Sequence, residues 1–100
     1  MIEIRRSETY IKWLDGLRDD TARQRILARI KRMAFGNFGD TKPIGHGVSE
    51  LRIAYGPGYR VYYMQRGQTL ILILAGGDKR SQQKDIQTAL EMAKTIKETI

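Results

Sequence analysis

The chain has 100 residues, 41% of them apolar, with ten glycines, two prolines and no cysteine, enough for one globular domain and too few for two. The missing cysteines exclude disulfide staples, thiolate zinc sites and thiol nucleophiles, and a single histidine excludes a multi-histidine metal centre. Eighteen Lys and Arg against eleven Asp and Glu give a net charge of +7, so a phosphate-bearing partner is the first expectation for the surface; the plainer one is that basic charge keeps a small domain soluble.

Both halves of the chain carry a basic excess, so the charge belongs to the folded domain and not to a tail. Met1-Ile2-Glu3-Ile4-Arg5-Arg6 lacks the apolar stretch of a signal peptide, and the longest apolar run, Leu70 to Ala75, is far too short to cross a bilayer. A soluble, cytoplasmic protein without a membrane partner is expected.

Ile2 and Ile4 alternate with Glu3 and Arg5, predicting a short first strand. Ser7 can cap a helix from Glu8 to Gly16, with Tyr10, Trp13, Leu14 and Leu17 at helical spacing. Asp19 or Asp20 can cap a second helix to about Phe35, burying Ala22, Ile26, Leu27, Ile30, Met33 and Ala34, while Arg25, Arg29 and Arg32 form a basic stripe at i, i+4, i+7. Gly36 is a natural left-handed stop, and residues 36–47 read as a long loop.

From Val48 the period changes to two. Leu51, Ile53 and Tyr55 share one face of a strand, and Gly56-Pro57-Gly58 turns the chain into Tyr59 to Gln65. If Tyr55 opposes Tyr59, Arg52 lies opposite Tyr62 and Ala54 opposite Arg60, all on the second face. Thr69 to Ala75 suits a central strand covered on both faces. Gly76-Gly77-Asp78-Lys79-Arg80 follows, and Ser81 can cap a last helix whose inner face is Ile86, Ala89, Leu90, Ala93, Ile96 and Ile100. The order βααβββα predicts a single α+β domain with helices on an antiparallel sheet.

Arg52, Arg60 and Tyr62 on one sheet face, joined by Lys79 and Arg80, are the strongest chemical constellation. Guanidinium forks hold phosphate oxygens bidentately, and a lysine supplies a point charge for an oxyanion or leaving group. Such a site could stabilise the charge that develops when an RNA 2′-hydroxyl attacks its own 3′ phosphate. The plainer reading pairs these arginines with Glu50 and Asp78 on a wet sheet face. Glu50, Asp85, Tyr62 and His46 are all candidates for proton transfer, and spacing singles out none of them. The arginine stripe either follows a nucleic-acid backbone or is a solvated helix face. The double glycine lacks the GxxxxGK[ST] spacing of a triphosphate loop. No cofactor or metal is expected.

Gly47-Val48-Ser49-Glu50-Leu51-Arg52, Tyr55-Gly56-Pro57-Gly58-Tyr59-Arg60-Val61-Tyr62-Tyr63, Gly76-Gly77-Asp78-Lys79 and Lys84-Asp85-Ile86 together resemble the RelE/ParE toxin superfamily, and within it the HigB-like addiction-module killer proteins. Trp13-Leu14, Ala28-Arg29-Ile30 and Gly36-Asn37-Phe38-Gly39-Asp40 extend the likeness over nearly the whole chain. The resemblance implies a RelE-like fold and the toxin of a type II toxin–antitoxin pair. In the RelE and HigB branches that toxin is a ribosome-dependent mRNA endonuclease. It also implies neutralisation by a helix-turn-helix antitoxin, with operator DNA bound only through the complex. Arg60 matches the family's phosphate-binding arginine, Lys79 or Arg80 its second basic catalytic residue, and Arg52 a strand that feeds basic residues to the same cleft. Arg80, Arg25, Arg29, Arg32 and His46 are the expected further RNA contacts. The tyrosine that RelE-type enzymes carry near the start of the last helix has no counterpart in Gln83-Lys84-Asp85-Ile86, so Asp85, Tyr62 or His46 is expected to replace it. The alternatives are a ParE-like gyrase inhibitor that acts by protein binding, and an inactive chain that serves as the antitoxin's partner in a repressor complex.

Overall fold

The computed structural model describes residues 1–99, with side chains through residue 96. Its elements run β1 (Glu3–Arg6), α1 (Glu8–Asp15), α2 (Asp20–Ala34), β2 (Thr41–Gly45), β3 (Val48–Ile53), β4 (Tyr59–Arg66), β5 (Leu70–Asp78), a 3-10 turn (Lys79–Ser81) and α3 (Gln82–Thr99). One five-stranded sheet in the order β1-β5-β4-β3-β2 carries them, giving the expected α+β architecture.

Local chemistry sets the helix ends. The Ser7 side chain accepts from Tyr10 N at the start of α1, and Asp19, of the two candidate acids, accepts from Ala22 N at the start of α2. Asp78 and not Ser81 begins the last helical segment: its carboxylate accepts from Arg80 N in a capping box that leads through the 3-10 turn into α3. Ser81 instead donates its hydroxyl to Asp85 Oδ2 at 2.5 Å.

The sheet departs from expectation in three ways. First, β1 runs parallel to β5, with Ile4 beside Ile71; the two helices and three strands between them supply the long crossover that parallel pairing requires. Second, the expected long loop contains β2, an edge strand joined to β3 by His46-Gly47. Both turn residues have positive φ, 54° and 80°, the requirement of a two-residue hairpin turn whose twist matches the strands. Pro43 hid this strand from a reading by propensity, but an edge position tolerates a residue without an N–H.

Third, the β3–β4 register is displaced by two residues. Ile53 pairs with Tyr59, Arg52 with Arg60 and Glu50 with Tyr62, because Tyr55 leaves the strand. Its N–H donates to the Ile53 carbonyl, its own carbonyl accepts from Gly58 N, and its hydroxyl donates to Asp19. A slip of two preserves the faces, so Arg52, Arg60 and Tyr62 do share one side of the sheet.

Helices cover both faces of that sheet. On one face, Tyr10 and Leu14 of α1 and Ala22, Ile26, Ile30 and Met33 of α2 pack on Leu51, Ile53, Tyr59, Val61, Tyr63, Ile71 and Ile73. On the other, Ala89 and Ala93 of α3, with Ile86, Leu90 and Ile96 beside them, cover Val48, Tyr62, Met64, Leu74 and Ala75. The expected core residue Ile100 lies outside the described residues, and Leu27 is 40% exposed. A β-bulge leaves Leu74 unpaired between Ala75, opposite Tyr62, and Ile73, opposite Tyr63; this lets the consecutive Leu74 and Ala75 both enter the second core. The strand also continues through Gly76 and Gly77, which close approach demands. A Cβ on Gly76 would lie 2.2 Å from the Trp13 ring, and one on Gly77 within 1.8 Å of Asp85 Oδ2.

Candidate functional site

Arg52 on β3, Arg60 on β4 and Gly77 on β5 form a row across three neighbouring strands. The 3-10 turn with Lys79 and Arg80 lies just past the end of β5. Lys79 stands beside the β3–β4 loop, its Cβ 3.7 Å from where a Cβ on Gly58 would sit. The start of α3 covers the row's inner side. There Gln82 Nε2 donates to Glu50 Oε1 at 2.7 Å, and the same oxygen lies 3.5 Å from Arg60 Nε. Glu50 is only 3% exposed, a burial that a carboxylate tolerates when paired and hydrogen-bonded.

This arrangement orients Arg60. Its Nε is buried against Glu50 without a hydrogen bond, so the 15% of its side chain that stays exposed lies elsewhere on the guanidinium and stem. No described acceptor takes a hydrogen bond from its terminal nitrogens, and these remain available for an incoming anion. Sequence reasoning named Glu50 both as one of several proton carriers and as an ion-pair partner for the arginines of this face, and missed Gln82 altogether. The signal available for Glu50 was its alternation with Arg52 on the Arg60 face; nothing in the sequence marked Gln82.

The remaining candidates are placed differently. Arg52 pairs with Asp40 at 2.9 Å and is partly exposed, and Arg80 pairs with Asp78 at 3.1 Å. The plainer electrostatic expectation is thus realised at Arg60 and Arg80, with Glu50 and Asp78 as partners. Burial works against the Asp78 carboxylate, but the bonds from Arg80 and Ser81 outweigh it and hold its pKa below the ordinary value. Lys79 has no ion-pair partner among the described residues.

Tyr62 does not stand on a wet face. It is wholly buried under α3, and among the described residues its hydroxyl, which faces the Glu50 carboxylate, makes no hydrogen bond of good geometry. Burial pushes its pKa well above the usual phenol range, and the Glu50 and Asp85 carboxylates add to the shift. Asp85 is half-buried over Gly77. His46 sits in the β2–β3 turn, at the far end of β3 from Arg52, with roughly 13 Å of strand between Val48 and Arg52. The structure therefore gathers Arg52, Arg60, Lys79, Arg80 and Asp85 and leaves His46 apart.

Arg25, Arg29 and Arg32 lie on α2, which packs on the opposite face of the sheet. Arg29 is a brace: Nη1 donates to the Arg52 carbonyl at 2.8 Å, and Nη2 reaches the Phe38 and Asp40 carbonyls at 3.4 Å. Arg25 lies over the Tyr55 ring, 4.7 Å from its centroid. Among the described residues no group of three metal-ligating side chains converges, and no helix is long and apolar enough to cross a membrane.

The family described as "Phage derived protein Gp49-like" (DUF891) matches residues 12–98. An uncharacterized protein of Haemophilus influenzae is 45% identical over 95 residues, which covers 95% of this chain and 96% of that one. Coverage of nearly the whole domain, on an α+β frame of the RelE type, assigns the chain plainly: it belongs to the Gp49-like family, a RelE-like toxin family of toxin–antitoxin systems.

Proposed function

We propose that the protein is a toxin that cleaves mRNA on the ribosome, in the manner of the HigB-like branch, and is neutralised in the cytoplasm by a cognate helix-turn-helix antitoxin. The observation that carries this reading is the row Arg52–Arg60–Gly77, with the terminal donors of Arg60 open and Lys79 beside them. Arg60 and Arg52 hold the scissile phosphate. Lys79 or Arg80 stabilises the charge on the transferring phosphoryl group. The 2′-oxygen forms a bond to phosphorus as the bond to the 5′-oxygen breaks, leaving a 2′,3′-cyclic phosphate. Asp85, the acid nearest the row that is neither fully buried nor ion-paired, takes the 2′-hydroxyl proton and returns one to the 5′-oxygen.

A second reading, a ParE-like protein that blocks gyrase by binding alone, draws on the carboxylate partners of Arg52, Arg60 and Arg80. Transcript ends mapped after brief induction separate the two, because new cuts inside translated frames appear only under the first. Arg60→Ala is expected to abolish both the cuts and growth arrest. Unchanged arrest in that variant removes Arg60 from the mechanism, and arrest without any cuts favours the second reading.

A further inference from the structure

The Arg60 site and the α2 stripe differ in electrostatic balance. Each arginine of the first has a carboxylate partner. On the other face of the sheet, a groove of about 270 Å³ between α2 and the end of β3 is lined by Arg25, Ala28, Arg29, Arg32, Ile53 and Ala54. No carboxylate lines it. Arg29 at its floor is pulled below the ordinary guanidinium pKa by burial first and then by the like charge of Arg32, which Asp40 only partly offsets. Asp40 is paired with Arg52 and does not line the groove, so the like charges there are only partly compensated, a cost in stability that a bound anion would recover.

We propose that this groove is a second anion site, which holds the phosphodiester backbone of a single-stranded nucleic acid through Arg25 and Arg32. Arg29 takes no direct part. Its guanidinium is committed to three backbone carbonyls, and Gly39, whose Cβ would come within 2.9 Å of Arg29 Nη2, lets the loop close over it. Arg25 and Arg32 are exposed and make no ion pair among the described residues. Seven residues of helix set them about 10 Å apart along the axis, a span that reaches between phosphates of one strand. The half-exposed Tyr55 ring lies beneath the Arg25 guanidinium and supports it at the groove; a planar guanidinium can stack on a base as well as bind a phosphate, which suits a nucleic acid better than an acidic peptide.

The site does not depend on RNA cleavage, and its test avoids that chemistry. The probe is a short fluorescein-labelled single-stranded deoxyoligonucleotide, which lacks the 2′-hydroxyl, and its binding to the full chain is followed by anisotropy across a salt series. For Arg25→Ser with Arg32→Ser the slope of log affinity against log salt is expected to shrink by roughly 1.4, at about 0.7 per phosphate contact on a single strand. A control variant with equal charge loss elsewhere, Lys42→Ser with Lys94→Ser, is expected to keep the slope, and circular dichroism checks that both variants fold. An unchanged slope in the groove variant, or an equal loss in the control, overturns the proposal. So does displacement of the strand by polyglutamate as readily as by unlabelled oligonucleotide of equal charge.

Discussion

Two tyrosines show how far burial alone can govern a titrating group. Tyr10 is fully buried and its hydroxyl has no hydrogen-bond partner among the described residues. Burial pushes its pKa from 10.0 up to about 12, against a smaller opposing effect of Arg6. A folded pKa above the unfolded one means that the protonated phenol stabilises the fold fully below pH 10 and that this contribution is lost as the pH rises through about 12. Tyr10→Phe is therefore expected to change stability at neutral pH by no more than about 1 kcal/mol, since the hydroxyl satisfies no bond. Between pH 10 and 12 the variant should lose stability less steeply than the parent, by up to one proton or about 1.4 kcal/mol per pH unit. Urea midpoints across that range measure it, and parallel curves for the two proteins would contradict the assignment. Tyr62 illustrates the limit of a single sequence: alternation placed it correctly on the Arg60 face, but only the packing of α3 shows that this part of the face is dry.

At the scale of elements, the two glycines that end β5 set how closely α1 and α3 approach the sheet. Gly76 receives the Trp13 ring and Gly77 receives Asp85, so the pair is a packing device on both faces of one strand. Gly76→Ala forces the ring away and is expected to cost about 1–3 kcal/mol. Trp13 is the sole tryptophan, which makes its emission the readout: a shift to longer wavelength should accompany the lost stability, and an unchanged spectrum would show that the contact is slack. Helix positions were legible because caps and periodicity act locally, as at Ser7, Asp19 and Gly36. The strand β2 was not, because Pro43 and the flanking glycines carry a loop signature, and its pairing partner is supplied by β3. Register failed for a related reason: the hydroxyl of Tyr55 is anchored to the cap residue of a distant helix, a contact no local pattern contains.

Over the whole molecule, the parallel pairing of β1 with β5 joins the first strand to the last and keeps β5, with its Leu-Ile-Leu-Ile-Leu run, from becoming an open edge. Glu3 N and Ser7 N donate to the Thr69 and Ile73 carbonyls, so alternation makes Arg5 N the donor between them. Arg5→Pro should break that ladder, lower the thermal midpoint and increase aggregation, with light scattering on heating as the check. A variant that melts and scatters like the parent would mean that β1 is dispensable.

Amino-acid order by itself determined the α+β class, the ends of α1 and α2, the two apolar faces and the side of the sheet that carries Arg52 and Arg60, because capping and periodicity are properties of neighbouring residues. Tertiary structure decided the rest. It brought Gln82 and Glu50 together behind Arg60, spent Arg29 on backbone carbonyls, sealed Tyr62 beneath α3 and left Arg25 and Arg32 facing an open groove. Each of these is a contact between segments distant in the chain, and a charge acquires its role only when such contacts settle whether it is neutralised, buried or left for a partner.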